Sequence, residues 1–71
     1  MSRTLHEAML IVLNETDGIP IPRLVRVINE TELYVKRDKS PLKNSQIYAR
    51  VNKYPHLFYI ENKCVYRRSR V

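Results

Sequence analysis

The chain has a single cysteine and a single glycine. It also lacks any long apolar run, and each of these shortages removes a class of protein. One cysteine, Cys64, cannot close an internal disulfide, so 71 residues must be held together by packing. A chain this short buries only roughly 60% of its unfolded surface, which leaves a marginal core. A lone thiol fits a reducing compartment, and a cytoplasmic, intracellular protein is expected. One glycine leaves no glycine-rich loop to cradle a phosphate. The apolar run from Ala8 to Leu13 is too short to span a membrane, and its position after Glu7 does not suit a signal peptide.

Chemistry-bearing side chains are equally sparse. His6 and His56 are the only histidines, and their spacing from Cys64 matches no metal site. Both read as surface histidines, and Cys64 as a partly packed thiol. Asp17, Asp38 and Glu61 sit near turns and form no carboxylate pair for acid–base work. No enzyme activity, metal or cofactor is therefore expected. Asn14-Glu-Thr16 and Asn29-Glu-Thr31 match the glycosylation pattern by chance. An asparagine near a helix end has the simpler task of tolerating left-handed backbone.

What is abundant is positive charge, placed unevenly. The net charge is +6, from 13 basic and 7 acidic residues. Residues 1–35 hold three Arg, no Lys and five acids, a net of −2, whereas residues 36–71 hold ten basic and two acidic residues, a net of +8. The second half is thus the candidate surface for a polyanion.

Local patterns predict a single domain over residues 1–71, with its core over about 4–68. Thr4 and Glu7 form a capping box that opens a helix over residues 5–15. Leu5, Ala8, Met9, Val12 and Leu13 share its apolar face, with Leu10 and Ile11 outside. Asp17-Gly18 ends it. Residues 19–21 read as a short strand at a sheet edge, because Pro20 has no N–H to donate. Pro22 fits the first turn of a second helix, which carries Leu24, Val25 and Ile28 inward and ends between residues 29 and 33. Residues 34–42 read as a loop with Tyr34 or Leu42 tucked onto the core. Asn44 or Ser45 caps a third helix running to about residue 54. Residues 58–67 read as a β-hairpin turning at Asn62-Lys63 and pairing Ile60 with Val65. The edge strand pairs near Val65, and residues 68–71 are expected to fray. The fold class is α+β, a winged helix-turn-helix with three helices and a small antiparallel sheet in the order α-β-α-α-β-β.

The third helix carries the candidate site. Ile47, Val51 and Tyr54 form its apolar face, while Ser45, Ala49 and Asn52 lie outermost, with Gln46 and Lys53 beside them. Tyr48 and Arg50 flank the core face. Amides contact adenine in the major groove, and Arg contacts guanine. Ala49 permits close approach, and Asn44, Ser45 and the first amides suit a phosphate. Lys36, Arg37, Lys39 and Lys43 form a basic cluster in the preceding loop, suited to phosphates. Lys63 at the hairpin tip, with Arg67, Arg68 and Arg70, would be wing contacts. The plainer account is that these are solvated faces and a charged edge that resists pairing. Tyr59 and Tyr66 on the outer hairpin face either stack on a partner or stabilise the hairpin as a cross-strand pair.

Gln46-Ile47, Ala49-Arg50-Val51, Tyr54-Pro55 and Leu57-Phe58, following the Lys-Arg-Asp-Lys-Ser-Pro loop, resemble the HARE-HTH domain. Val12-Leu13 and Gly18-Ile-Pro20 extend the resemblance across residues 4–68. It implies a winged helix-turn-helix viewed mostly as a DNA-binding module, found in chromatin proteins, restriction endonucleases and the RNA polymerase delta subunit. It carries no catalytic residue. One departure stands out: many relatives have Asp-Gly where this chain has Asp38-Lys39.

The leading expectation is a winged-helix module that binds double-stranded DNA, in keeping with a transcriptional regulator or accessory. Gln46, Ala49, Arg50 and Lys53 would lie in the major groove, with Lys36, Lys43 and Lys63 on phosphates. The rival is a protein-interaction module of the transcription machinery, working through Leu10, Ile11, Tyr59 and Tyr66. A third is RNA or nonspecific polyanion binding. Monomer is the default state, with no membrane association.

Overall fold

The computed structural model describes residues 3–68. The elements run α1 (Leu5–Leu13), β1 (Ile19–Pro20), α2 (Ile21–Thr31), α3 (Asn44–Lys53), β2 (Phe58–Glu61) and β3 (Cys64–Arg67). This is the expected α+β winged-helix order.

The capping box at the start of α1 is formed in full. The Glu7 N–H donates to the Thr4 hydroxyl at 3.3 Å, and the Thr4 N–H donates back to the Glu7 carboxylate at 2.8 Å. Leu5, Ala8, Met9 and Leu13 are buried, and Val12 is half-buried. The helix ends two residues before the expected Glu15. The Thr16 hydroxyl donates to the Gly18 carbonyl at 3.0 Å, and Gly18 adopts φ +142°, turning the chain into β1. A Cβ at Gly18 would lie 2.3 Å from the Tyr66 ring, so this position needs glycine for space as well as for backbone.

β1 is one residue shorter than expected, because Ile21 already belongs to α2. Its N–H still reaches the Lys63 carbonyl at 3.3 Å. Pro20 lies exposed on the sheet edge, where its missing donor is harmless. Pro22 sits in the first turn of α2. That helix ends at Thr31, and Glu32 at φ 56° supplies the left-handed residue. Neither asparagine of the two Asn-X-Thr motifs has that role. Asn14 stays right-handed, with φ −69°, and Asn29 lies inside α2.

The sheet order is β1-β3-β2, all antiparallel, with Ile19 and Ile60 both opposite Val65 as the alternation predicted. Asn62 and Lys63 have φ of 52° and 64°, the doubly positive pattern of the two-residue turn that matches strand twist. Arg68, expected to fray, instead donates its N–H to the Leu57 carbonyl at 2.9 Å. The fraying expected of residues 69–71, and the wing contact Arg70, lie outside the described residues.

The core forms where the three helices meet the inner sheet face. Leu24, Ile28, Ile47 and Val65 are fully buried there, and Phe58 nearly so. Leu42 joins them from the loop, and Tyr34 packs against the same core, so both loop anchors are used. No described helix is long and apolar enough to cross a membrane.

Candidate nucleic-acid interface

The loop before α3 is short of regular structure but well tied. Leu42 is buried, and Asn29 grips it from α2 with both ends of its amide. The Leu42 N–H donates to Asn29 Oδ1 at 3.0 Å, and Asn29 Nδ2 donates to the Leu42 carbonyl at 3.4 Å. Farther back, the Lys39 N–H closes a turn on the Lys36 carbonyl at 2.9 Å. Lys39 takes φ 62°, so the tight turn forms with lysine in a left-handed conformation that favours glycine. Asp38 helps hold it by accepting the Ser40 N–H at 3.0 Å and the Ser40 hydroxyl at 2.7 Å. These two bonds hold the Asp38 carboxyl below its ordinary range. The result is a tied loop backbone that carries Arg37, Lys39 and Lys43 exposed and Lys36 half-buried.

Lys43 is the N-cap of α3, not Asn44 or Ser45. The cap is made by a side chain in the first turn: Gln46 Oε1 accepts the Lys43 N–H at 3.0 Å. The Gln46 N–H bonds the Lys43 carbonyl, also at 3.0 Å. Gln46 was expected to read adenine, which takes both ends of the amide. In this structure its oxygen is already occupied, and only the nitrogen is free. The Asn44 and Ser45 N–H groups have no helical acceptor and lie at the exposed helix start.

Helical geometry splits α3 into two flanks around Ile47 and Val51. Gln46, Ala49, Arg50 and Lys53 share a shallow cleft of about 170 Å³ with Leu5 from the start of α1. Four expected groove residues therefore lie together. Gln46 and Arg50 are half-buried in that cleft, whereas Ala49 and Lys53 are exposed. The other flank carries Asn44, Tyr48 and Asn52 at successive i, i+4 positions, all exposed. Tyr48 was expected to flank the core, yet it is 44% exposed. Its place one turn from Asn44 and Asn52 was visible in the spacing, and its apolar ring masked it as a surface contact.

Lys63, Arg67 and Arg68 of the wing are all exposed. Lys63 stands on the turn, and the two arginines each also bond back to the protein. Arg67 Nη1 donates to Asn14 Oδ1 across to the end of α1. Arg68 Nε donates to the Pro55 carbonyl at 2.6 Å, and its guanidinium lies 5.1 Å from the Tyr59 ring centroid. Tyr59 stacks in turn on Tyr66, with centroids 5.1 Å apart and planes 11° apart. Tyr66 then lies against Gly18. The two rings, both half-buried, are thus stacked in a column from Arg68 to Gly18. Burial is the main cause that pushes the Tyr66 phenol above its ordinary range, with Cys64 and Glu61 adding to it.

The histidines separate. His56 is exposed, but His6 is half-buried and its ring packs 4.3 Å from that of Tyr54. Cys64 is half-buried. Among the described residues no three His, Cys, Asp or Glu side chains gather as a metal site. Comparison with family models, with curated proteins and with solved structures gives no match for this chain.

Proposed function

We propose that this chain is a small winged-helix module of the HARE-HTH type that binds double-stranded DNA, with α3 in the major groove. The observation that carries this is one continuous surface element. An anchored basic loop, with Arg37, Lys39 and Lys43 exposed, leads directly into an exposed helix bearing Ala49, Asn52 and Lys53. All of it belongs to the half-chain of net +8. In this arrangement Lys36, Arg37, Lys43, Lys53 and Lys63 meet phosphates. Arg50 and the amides of Asn52 and Gln46 meet base edges, Gln46 only if it releases its cap.

About five phosphate contacts give a log–log salt slope of roughly −4. Fluorescence anisotropy of a labelled duplex across a salt series measures this. No binding at low salt, or a flat dependence, removes the proposal. Arg50→Ala should weaken the preferred site by about 1–3 kcal/mol and relax its sequence, whereas Lys53→Ala should weaken all duplexes alike.

A protein-interaction module remains the rival, and a specific observation favours keeping it: Ile11 is 38% exposed on α1. Its other expected contacts are less available. Leu10 packs partly against the core, and the Tyr59 and Tyr66 rings are taken up by each other, Arg68 and Gly18.

A further inference from the structure

A second cleft lies away from α3. It measures about 510 Å³ and opens between the end of α1 and the base of the hairpin, lined by Asn14, Asp17, Tyr59, Tyr66, Arg67 and Arg68. We propose that this cleft is a docking site for an acidic protein segment, whose carboxylates pair with Arg67 and Arg68. The proposal does not depend on DNA binding at α3.

Three features support it. First, both guanidinium groups are already positioned. Asn14 holds one, and the Pro55 carbonyl and Tyr59 ring hold the other. Each guanidinium carries five N–H donors, so these bonds leave most of the fork free for bidentate carboxylate pairing. Side chains fixed before binding lose less entropy when they bind. Second, the cleft mixes signs. The Asp17 carboxylate offers acceptors beside the arginines. A peptide presents backbone N–H donors along with its carboxylates and so matches both signs, whereas a sugar–phosphate backbone brings anions with no N–H donor for Asp17. Third, the tyrosine rings are stacked on protein groups and offer nucleobases no open platform, which single-stranded nucleic acid needs. Their hydroxyls remain as polar contacts.

Position sets this cleft apart from the DNA-facing one. Leu5 lines the cleft at α3 and Leu13 lines this one. Eight residues of helix place them roughly 12 Å apart along α1. The two surfaces share no lining residue, so one molecule has room for DNA and an acidic partner together.

The test is amide NMR on the full chain with three probes: a short Asp- and Glu-rich peptide, its Asn and Gln counterpart, and a single-stranded oligonucleotide of equal charge. The acidic peptide should shift the amides of Asn14, Asp17, Tyr66 and Arg67, and the neutral peptide should not. Arg67→Gln should weaken the peptide roughly tenfold. Arg68→Lys keeps a cation but loses the planar fork, so it should weaken binding while the Tyr59 and Tyr66 signals report an intact hairpin. Shifts centred on Ala49 and Lys53, equal shifts at the cleft from the oligonucleotide, or no shift from the acidic peptide would each overturn the proposal. Failure of duplex DNA to shift α3 would count against the DNA reading alone.

Discussion

At Lys63 the backbone and the side chain serve different ends. The residue occupies the second turn position with φ 64°, where glycine is the favoured residue. Its side chain is an exposed cation on the wing tip. Lys63→Gly should therefore stabilise the fold by about 0.5–1 kcal/mol, from relief of left-handed strain. The same change should lower DNA affinity and reduce the salt slope by about 1. Thermal denaturation paired with the salt series separates the effects, and a drop in both stability and affinity would show that the lysine stem supports the turn. Asn29 is the converse case, a residue whose role is wholly structural. Its amide closes two bonds on Leu42, the buried anchor of the loop before α3. Asn29→Ala should destabilise by about 1–3 kcal/mol, because it strands part-buried backbone groups. Urea denaturation measures it, and a change within error would mean that the loop is held by Leu42 packing alone.

At the scale of elements, the helix starts are built differently. The start of α1 relies on Thr4 and Glu7. The Thr4 backbone N–H, then its hydroxyl, donate to the Glu7 carboxylate and hold it below its ordinary value of 4.5. A depressed carboxyl stabilises the folded state above the unfolded value, and that contribution is lost as pH falls through the lower folded value. The start of α1 should thus loosen below about pH 4.5 and not above it. Thr4→Ala should lower stability by about 1 kcal/mol. It should also return the Glu7 titration towards 4.5, read from its side-chain carbon shifts. An unchanged Glu7 titration would refute the hydroxyl's share alone, because the variant keeps the backbone N–H that is the larger cause. The start of α3 uses Gln46 instead, so a residue expected to read DNA also serves as a cap. Gln46 was expected only to read bases; with Lys43 as N-cap it stands three positions in, where its amide reaches back to the N-cap N–H.

Across the whole molecule the charge is lopsided, and this has a consequence for the free protein. The net charge of +8 over residues 36–71 gathers like charges on α3, its loop and the wing. Self-repulsion of this kind is screened by salt. Raising sodium chloride should therefore raise Tm by a few degrees while DNA affinity falls. A Tm that drops on adding salt would indicate that attractive pairs dominate the surface.

Much of this was legible from local chemistry. The capping box, the proline stops, the Ile19 and Ile60 register on Val65 and the Asn62-Lys63 turn all depend on residues near one another in sequence or on strict alternation. Period and capping are local physics, so the sequence alone determines helix, strand, turn and order, and with them the winged-helix plan. It also determines which half of the chain carries the positive charge. What it left open depends on contacts between distant residues. Arg67 meets Asn14 from 53 positions away, and Asn29 meets Leu42 from 13. Gly18 is fixed by a ring from the far end of the chain. Those pairings arise only once the helices pack on the sheet. Tertiary structure therefore decided that Arg67 and Arg68, while exposed, bond to Asn14 and Pro55 beside a separate cleft. It also decided which flank of α3 shares a cleft with Leu5 of α1 and which stands open.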